Sequence, residues 1–461
     1  MGHLLPEQPI NSLDEYIKVG PGGVGIERAV KIGRDATIEA VTQSGLRGRG
    51  GAGFPTGRKW AGVRDQPGTH RYVVANGAEG EPGTFKDRML LRMNPYQFIE
   101  GTIIAAYAVD AIEVYIGLKA KFEREADRLI DAIAEMQQAG ICQDCTMTVV
   151  RGPDEYLYGE EKALLEVIEG GDPLPRLFPP YEHGLFATAP QSGWEPKSAE
   201  PGHPEPHESN PTLVNNVETL SNVAHILANG ADWFRSTGTE ESPGTMVCTV
   251  VGDVRQAGVA EMAMGTTLRD VLDSIGGGTA SGRQIQAVFS GVANAVITPD
   301  QLDAPLSYEG LAAIGSGIGS AGFIVIDDAA CMIDVAYEMS RFLAVESCGQ
   351  CPPCKRGATE ITDRLLRLRD GRATSQEVGE IAGWLDRVTD GNRCYLAVEE
   401  QLVVRSILRA FSEEVMVHLE GNGCGRAPRY MTPLLIDIVD GRAVIDERHR
   451  RKQLDWTYAD D

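Results

Sequence analysis

The sequence predicts an α/β region, a small α+β module and a helical region, in that order along the chain. Three observations support this: alternating strands and helices, a cluster of short apolar runs, and sustained helical periodicity. In the first 235 residues, strand-like runs lie at 71–75 and 111–116, and helical patterns at 95–108 and 122–138. This alternation is typical of an α/β fold.

The middle of the chain, 245–330, changes character. A strand-like run at 246–251 is followed by an amphipathic stretch at 267–275 and by strand-like runs at 287–289 and 323–326. Strands grouped around one helix predict a small α+β module.

The region 331–420 is predicted to be helical, with four helices at 331–345, 358–369, 375–388 and 396–418. Four helices of this length can form a bundle that carries a site at one end. Apolar runs at 434–439 and 442–445 then predict a hairpin tail.

The net charge, the apolar runs and the cysteine content exclude several classes of function and location. The chain has 461 residues, with 43 Lys and Arg against 66 Asp and Glu, a net charge of −23. This acidity argues against binding to nucleic acid or to an anionic membrane surface. We find no apolar run long enough to span a membrane and no signal peptide, so we expect no membrane insertion. Nine cysteines without disulfide-like spacing favour a reducing compartment, the cytoplasm or the cytoplasmic face of a membrane complex.

Four of the cysteines form the most informative motif. Cys348, Cys351 and Cys354 are spaced three apart, and Cys394 follows much later. One tight loop with three thiolates and a distant fourth suit a [4Fe–4S] cluster, in which each iron needs one thiolate. Zinc is the alternative, but zinc sites usually pair two Cys-x-x-Cys units or include His.

The remaining five cysteines carry no second motif of this kind. Cys142 and Cys145 form a single Cys-x-x-Cys, which we interpret as two loose thiols because no second pair accompanies it.

A glycine-rich segment at 44–60 is the second strong feature. It contains six glycines within thirteen residues, interleaved with Arg47, Arg49, Arg58 and Lys59. Glycine lets backbone N–H groups approach a phosphate, and the cations supply charge. A simple chain turn is the alternative for such a segment.

Three further polar segments add to it: 76–88, 156–161 and 215–219. They supply amides, carboxylates and hydroxyls that suit the edges of a flavin, its ribityl hydroxyls or phosphate oxygens. For one segment alone, a capping or turn role is at least as good an explanation. Their co-occurrence with a cluster motif favours a cofactor site.

On these motifs the chain resembles the flavin- and NADH-binding 51-kDa-type subunit of respiratory complex I. The same family includes the diaphorase subunits of NAD-linked formate dehydrogenases and hydrogenases. The resemblance covers about 35–425. It implies a Rossmann-like α/β FMN domain at 1–240, a ubiquitin-like β-grasp module at 241–330, a four-helix [4Fe–4S] bundle at 331–424 and a tail at 425–461.

The resemblance also implies which residues bind FMN, NAD(H) and the cluster. The cluster ligands would be the four motif cysteines. FMN would be lined by Gly48, Arg49, Gly50, Gly51, Lys59, Asn76, Gly159, Glu160, Asn215, Asn216 and Thr219. The nicotinamide nucleotide would face Phe54, Glu79, Tyr156 and Glu161. A carboxylate at Glu161, near the adenosine ribose, would repel a 2′-phosphate and favour NADH over NADPH.

Hydride transfer between nicotinamide and flavin needs stacking and exclusion of water, so we assign no protein acid or base. Lys355, Arg356 and Arg393 flank the cluster ligands and would ease its reduction if they point inward. Their alternative role is a solvated helix surface.

The nucleotide side departs from the family pattern. Ala78 replaces a usual Asp, Gly62 stands where some members have an aromatic residue, Phe178 replaces a Lys and Tyr181 a Phe. We expect Phe178 to stack on adenine in compensation, with Phe54 and Tyr181 nearby. The Pro-rich stretch 188–210 is an insertion that we predict to be an exposed loop.

The leading hypothesis is therefore an NADH dehydrogenase-type electron-input subunit. An alternative is a relay paralogue that keeps FMN and the cluster but does not turn over NAD(H). A weaker alternative is a zinc-bound paralogue without redox chemistry. The resemblance implies two partners, a [2Fe–2S] thioredoxin-like subunit and a larger iron–sulfur or catalytic subunit.

Overall fold

The computed structural model describes residues 2–68, 70–141, 145–188, 208–280, 282–421 and 423–459. The chain divides into two units. The first comprises Met1–Glu79, Asp87–Asp154 and Tyr158–Gly244, and the second comprises Gly80–Lys86, Glu155–Leu157 and Thr245–Asp461. Cys142 and most of the predicted Pro-rich loop lie outside the described residues.

The first unit is an α/β structure. Its strands are β1 (Tyr72–Asn76), β2 (Glu113–Lys119), β3 (Thr146–Gly152) and β4 (Thr212–Asn216). Its helices are α1 (Leu13–Val19), α2 (Val24–Ile32), α3 (Arg34–Ser44), α4 (Thr56–Asp65), α5 (Lys86–Met93), α6 (Pro95–Val109), α7 (Glu123–Gln138), α8 (Glu161–Ile168), α9 (Val217–Asn229) and α10 (Ala231–Arg235).

The four strands form one parallel sheet in the order β3-β2-β1-β4. In its register, Asn76 at the end of β1 pairs with Asn216 at the end of β4. The loops that follow these two strands therefore leave the same edge of the sheet, where ligands of open α/β sheets usually bind.

Helix α6 is the core of the first unit. Asn94 caps it by accepting a hydrogen bond from the Gln97 backbone N–H, and Pro95 occupies its first turn, where a missing N–H costs nothing. Nearly every residue of α6 is buried, and it packs against α9. At Gly101 a Cβ would lie 1.8 Å from the Leu220 carbonyl oxygen, so the two helices can approach this closely only with glycine there.

The second unit begins with a mixed sheet and continues into helices. Its strands are β5 (Thr245–Gly252), β6 (Gly258–Ala263), β7 (Ile285–Ser290), β8 (Gly322–Asp327), β9 (Leu435–Val439) and β10 (Arg442–Ile445). Its helices are α11 (Leu268–Gly276), α12 (Tyr308–Ala313), α13 (Met332–Glu346), α14 (Pro352–Arg369), α15 (Ser375–Leu385), α16 (Leu396–Ala410) and α17 (Ser412–Leu419).

The sheet order is β6-β5-β8-β7, with β5 and β8 parallel and the two outer pairs antiparallel. Helix α11, capped by Thr267, packs on β5 and β6. This is the predicted small α+β module, with one helix held against a four-stranded sheet. The predicted C-terminal hairpin is also confirmed, because β9 and β10 pair antiparallel.

Two predicted helix bounds are wrong. Helix α14 begins at Pro352 rather than at 358, because proline is tolerated in the first turn of a helix. The single helix predicted over 396–418 is two helices, since Phe411 leaves helical geometry with φ −113° and ψ 38°. Within the described residues, no helix is long and apolar enough to cross a membrane.

Candidate functional site

The glycine-rich segment folds as a closed loop that leads into α4. The Gly48 backbone N–H donates to the Phe54 carbonyl at 2.8 Å, and the Thr56 N–H donates to the Leu46 carbonyl at 2.9 Å. Gly51 has φ 133°, a value that favours glycine. Gly50 is exposed, so the loop presents its backbone to a ligand.

This loop lies against the N-terminus of α9. The Arg49 backbone N–H donates to Thr219 Oγ1 at 2.8 Å. At Gly50, a Cβ would lie 3.0 Å from the Asn216 Cβ, so a larger residue would crowd the Asn216 side chain. Asn216 itself caps α9 by accepting from the Glu218 N–H at 3.0 Å. A helix N-terminus beside exposed glycine backbone is a favourable place for a phosphate.

Side chains at the carboxyl ends of β1 and β4 complete this region. Asn76 Nδ2 donates to the Gly159 carbonyl at 2.8 Å. Trp60 Nε1 donates to Asn215 Oδ1 at 2.7 Å, and Asn216 Nδ2 donates to Asp87 Oδ2 at 2.7 Å. The structure thus brings together the residues predicted to bind FMN from several separate segments.

Trp60 and Asp87 are missed by sequence reasoning, although both lie inside the segments singled out. Trp60 is fully buried, and both residues orient the asparagines through hydrogen bonds. A buried indole usually finds a partner for its N–H, which is the signal that could have identified Trp60.

Two adjacent carboxylates near α8 behave differently. Glu160 caps α8, because its Oε2 accepts from the Lys162 and Ala163 N–H groups at 2.9 Å each. Burial raises the pKa of Glu160 to about 7. Glu161 instead forms an ion pair with Lys59, with Nζ and Oε2 2.6 Å apart.

The predicted nucleotide-facing residues of the first unit are not equally accessible. Phe54 is 49% exposed, and the Arg58 guanidinium lies 5.7 Å from the centre of its ring. Glu79 is buried, with one oxygen accepting from Arg88 at 2.8 Å and the other from the Asp87 N–H at 3.0 Å. Phe54 is therefore open to a ligand ring, whereas both Glu79 carboxylate oxygens are engaged by the first turn of α5.

The departures from the family pattern also lie in the first unit. Ala78 is buried, and its N–H donates to Asn76 Oδ1 at 3.2 Å. Around Gly62 no heavy atom comes within 4 Å of an added Cβ. Tyr181 is 41% exposed, and the Phe178 ring centre is 6.5 Å from that of His183. Tyr181 is thus accessible, Phe178 is half-buried, and space remains beside Gly62.

Tyr156 belongs to the second unit, where it joins two carboxyl groups. Its hydroxyl donates to Glu81 Oε2 at 2.5 Å and lies 3.0 Å from Glu399 Oε1. Burial raises the pKa of Glu81 to about 7, and burial together with the charge of Glu81 raises that of Glu399 well above its usual value. This pair of carboxyls was not anticipated from the sequence.

The three-cysteine loop lies at the start of α14. Cys351 is the N-cap of this helix, and Cys354 lies in its first turn, with its sulfur 3.3 Å from Ser347 Oγ. Cys354 is buried, and the other motif cysteines are half-buried. Burial raises the pKa of Cys354 to about 11, so a bound metal would be needed to hold it as thiolate near neutral pH.

One of the three predicted cations points inward. Lys355 Nζ donates to the carbonyls of Ala344, Ser347 and Leu454 at 2.7–3.0 Å. Arg356 is exposed and lies over the Trp384 ring, and Arg393 donates to Gln350 at 2.7 Å at the surface. Lys355 and the N-terminus of α14 therefore place positive charge beside the cysteine loop.

The residues present fit the two cofactors. The glycine loop, the α9 N-terminus and the asparagine amides match phosphate and flavin-edge chemistry. Among the described residues, one group of Cys, His, Asp and Glu has all its ligand atoms within 4.8 Å of one another, and the motif cysteines are not in it. A single zinc needs such closeness, whereas a cubane with an iron at each corner does not.

Family models match three regions of the chain. Residues 41–225 match the Nuo51 FMN-binding domain. Residues 334–418 match the NADH-ubiquinone oxidoreductase-F iron-sulfur binding region. Residues 247–292, within the mixed-sheet module, match the SLBB domain.

Similar proteins cover most of the chain. An F-type subunit of the NADH-quinone oxidoreductase of Rhizobium meliloti is 35% identical over 85% of this chain and 90% of its own length. The corresponding F-type subunit of Aquifex aeolicus is 36% identical over 88% of this chain and 91% of its own length. The crystal structure of an NAD⁺-reducing [NiFe]-hydrogenase in the H2-reduced state matches with a TM-score of 0.77 and 31% identity, over 89% of this chain and 67% of that one. The chain therefore belongs to the family of F-type subunits of NADH-quinone oxidoreductase.

Proposed function

We propose that the chain is an electron-input subunit of a multi-subunit redox complex. When bound, FMN exchanges a hydride with NAD(H) and single electrons with a [4Fe–4S] cluster. One observation supports this proposal most directly. The glycine-rich loop contacts Thr219 and Asn216 at the edge of the parallel sheet. The family matches for an FMN domain and an iron–sulfur region support it.

The FMN site is proposed to use backbone N–H groups for phosphate and side-chain amides for the flavin and ribityl groups. Asn76 and Asn215 are already oriented by Gly159 and Trp60, so they would bind with little rearrangement. The proposed residues are Gly48, Arg49, Gly50, Gly51, Lys59, Asn76, Gly159, Glu160, Asn215, Asn216 and Thr219.

The nucleotide site is proposed to orient NAD(H) by stacking and to exclude water, without a protein acid or base. Phe54 offers an exposed ring, and the Glu161 carboxylate suits the hydroxyls of an adenosine ribose. The proposed residues are Phe54, Glu79, Tyr156, Glu161, Phe178 and Tyr181.

The cluster is proposed to be held by Cys348, Cys351, Cys354 and Cys394 at one end of a four-helix bundle. Lys355 would neutralise part of the negative charge of a thiolate-bound cluster and ease its reduction. The division into domains at 1–240, 241–330, 331–424 and 425–461 is proposed on the same sequence grounds.

The partners and location are proposed from the relatives. Two of the matched proteins are named as subunits of NADH-quinone oxidoreductase, which implies a hetero-oligomer. A single cluster without a terminal acceptor also needs a partner to take its electrons. We propose the [2Fe–2S] thioredoxin-like subunit and a larger iron–sulfur or catalytic subunit, in the cytoplasm or on the cytoplasmic face of a membrane.

Anaerobic stopped-flow mixing of the intact complex with NADH tests the function. We expect prompt bleaching of flavin absorbance, followed by reduction of the cluster. An Asn76→Ala variant, which loses the contact with Gly159, should purify with less FMN than an exposed control such as Glu123→Gln.

The relay alternative predicts a different result in the same experiment. If the flavin stays oxidised at millimolar NADH, yet is reduced by dithionite, the chain is a relay that does not turn over NAD(H). The family matches do not favour that outcome.

A further inference from the structure

A second group of metal-ligating side chains lies in the helical region, apart from the four motif cysteines. Its ligand atoms all lie within 4.8 Å of one another, and two of its four residues are buried. The group consists of Cys331, Glu414, His418 and Cys424.

The distances in this group suit a single ion. Cys331 Sγ lies 3.3 Å from His418 Nε2. In a tetrahedral zinc site with bonds of 2.0–2.3 Å, neighbouring ligand atoms are about 3.3–3.8 Å apart. The group is therefore compact enough to close around one ion with small side-chain movements.

The orientation of His418 is the strongest part of the evidence. Its Nδ1 lies 3.1 Å from the Leu368 carbonyl and 3.0 Å from the Arg369 carbonyl. Two carbonyl acceptors require a proton on Nδ1. In the neutral ring the lone pair is then on Nε2, which faces Cys331 Sγ. A ligating histidine is held in this way in most metal sites, with its other nitrogen donating to a carbonyl or carboxylate.

The sulfur of Cys331 is also held in place by the first turn of α13. Cys331 caps α13, and the Asp334 N–H donates to its sulfur at 3.4 Å. Once a metal ion displaces the thiol proton, the same N–H group would stabilise the metal-bound thiolate.

We propose that these four residues bind a structural zinc ion, with two thiolates and one imidazole as ligands and Glu414 in the fourth position. Two thiolates with imidazole favour zinc over magnesium or calcium, which prefer oxygen. With Glu414 included, the site carries one net negative charge, and Arg426 lies 3.2 Å from that carboxylate to offset it.

The site would join the two ends of the helical region. Cys331 starts α13, Glu414 and His418 lie on α17, and Cys424 follows α17. The matched iron–sulfur region ends at 418 and begins at 334, so neither cysteine of the group belongs to it. Because the four residues come together only in the folded chain, the free energy of metal binding would add to the free energy of unfolding.

Metal analysis of the complex purified anaerobically tests the proposal. We expect about one zinc per chain in addition to the four irons of the cluster. Cys424→Ser should lose most of the zinc and keep iron and FMN, whereas Cys348→Ser should lose iron and keep zinc. Cys145→Ser, a buried thiol of the first unit, is the matched control and should keep both.

Cobalt substitution gives a second, independent measurement on the wild-type chain. Co²⁺ in a tetrahedral site with two thiolates gives intense visible bands and a sulfur-to-metal charge-transfer band, and both should be absent from Cys424→Ser. Zinc below a tenth of an equivalent in a chain that is loaded with iron, or zinc unchanged in Cys424→Ser, would overturn the proposal. A disulfide between Cys331 and Cys424 in the anaerobic protein, detected by mass spectrometry, would overturn it as well.

Discussion

The ion pair between Lys59 and Glu161 changes how these two residues are expected to affect the preference for NADH over NADPH. The family resemblance implies FMN binding for Lys59 and nucleotide binding for Glu161, as separate roles. In the structure their charged atoms are 2.6 Å apart, and both side chains are partly exposed. Lys59 therefore offsets part of the repulsion that Glu161 would exert on a 2′-phosphate. The ion pair is formed through Oε2, so we expect Glu161 to contact the ribose hydroxyls through Oε1.

Replacing Glu161 tests this explanation. Glu161→Gln removes the negative charge and keeps the shape, so we expect the preference for NADH over NADPH to fall about tenfold, equivalent to ~1.4 kcal/mol. The measurement is the ratio of kcat/KM for the two nucleotides with an artificial acceptor. Glu123→Gln, on the exposed face of α7, is the control. An unchanged ratio would mean that another residue sets the preference.

Single residues also show where sequence reasoning reaches its limit. The spacing of Cys348, Cys351 and Cys354 predicts a metal cluster because the chemistry needs thiolates in one loop. No comparable pattern marks Cys331 and Cys424, which approach one another only when α13 and α17 pack together. Glu160 is the opposite case: the family motif predicts that it binds a ligand, and the structure shows that its side chain also caps α8.

Between elements, the crossing of α6 and α9 depends on Gly101. An added Cβ would lie 1.8 Å from the Leu220 carbonyl, so Gly101→Ala should force the helices apart and destabilise the protein by about 1–3 kcal/mol. Gly62→Ala in α4 meets no heavy atom within 4 Å and should stabilise it by about 0.5–1 kcal/mol. Thermal unfolding of both variants should therefore shift in opposite directions, and shifts in the same direction would contradict this packing.

A second prediction concerns the carboxyls that Tyr156 joins. Burial raises the pKa of Glu81 to about 7 and that of Glu399 well above its usual value. The folded state therefore holds protons that the unfolded chain releases above about pH 4.5. Stability from these groups is fully present below that pH and is lost as the pH rises through the folded pKa values.

Glu399→Gln removes one of these titrations and keeps an oxygen for the Tyr156 hydroxyl. The variant should match the wild type near pH 5 and be more stable at pH 8, by on the order of 1–3 kcal/mol. Thermal unfolding midpoints measured across this range provide the test, with Asp363→Asn on the exposed face of α14 as control. A constant difference between variant and wild type at every pH would show that the effect is not one of protonation.

The elements themselves were largely predictable, and the errors have local causes. Short apolar runs located β1, β2, β5, β7 and β8, and apolar helical patterns located α6 and α7, whereas β3, β4 and β6 were not predicted as strands. The start of α14 was placed too late, because two consecutive prolines suggest a loop although the first turn of a helix tolerates proline. The break at Phe411 has no sequence signal of its own, since neither glycine nor proline lies there.

In the whole molecule, the two proposed cofactor sites belong to different units. The residues proposed to bind FMN all lie in the first unit, and the motif cysteines all lie in the second. Each unit has its own sheet and its own buried core, so loss of one site need not unfold the other. The two halves of the electron path should therefore be separable by mutation.

Cys394→Ser tests this separation. Loss of the fourth thiolate should remove most of the cluster, because one iron is left without its ligand. Flavin content should stay near that of the wild type, since the FMN residues do not depend on Cys394. In anaerobic stopped-flow experiments, NADH should still bleach the flavin promptly, while electron delivery to the natural partner is lost.

Iron content, FMN content and turnover with the partner distinguish the outcomes for this variant. Cys145→Ser should keep all three, and Cys394→Ser should keep FMN alone. Retention of iron in Cys394→Ser would remove Cys394 from the ligand set and place the fourth ligand elsewhere in the second unit. Loss of FMN together with iron would show that the stability of the first unit depends on the cluster in the second. A single substitution would then abolish both flavin reduction by NADH and electron delivery to the partner.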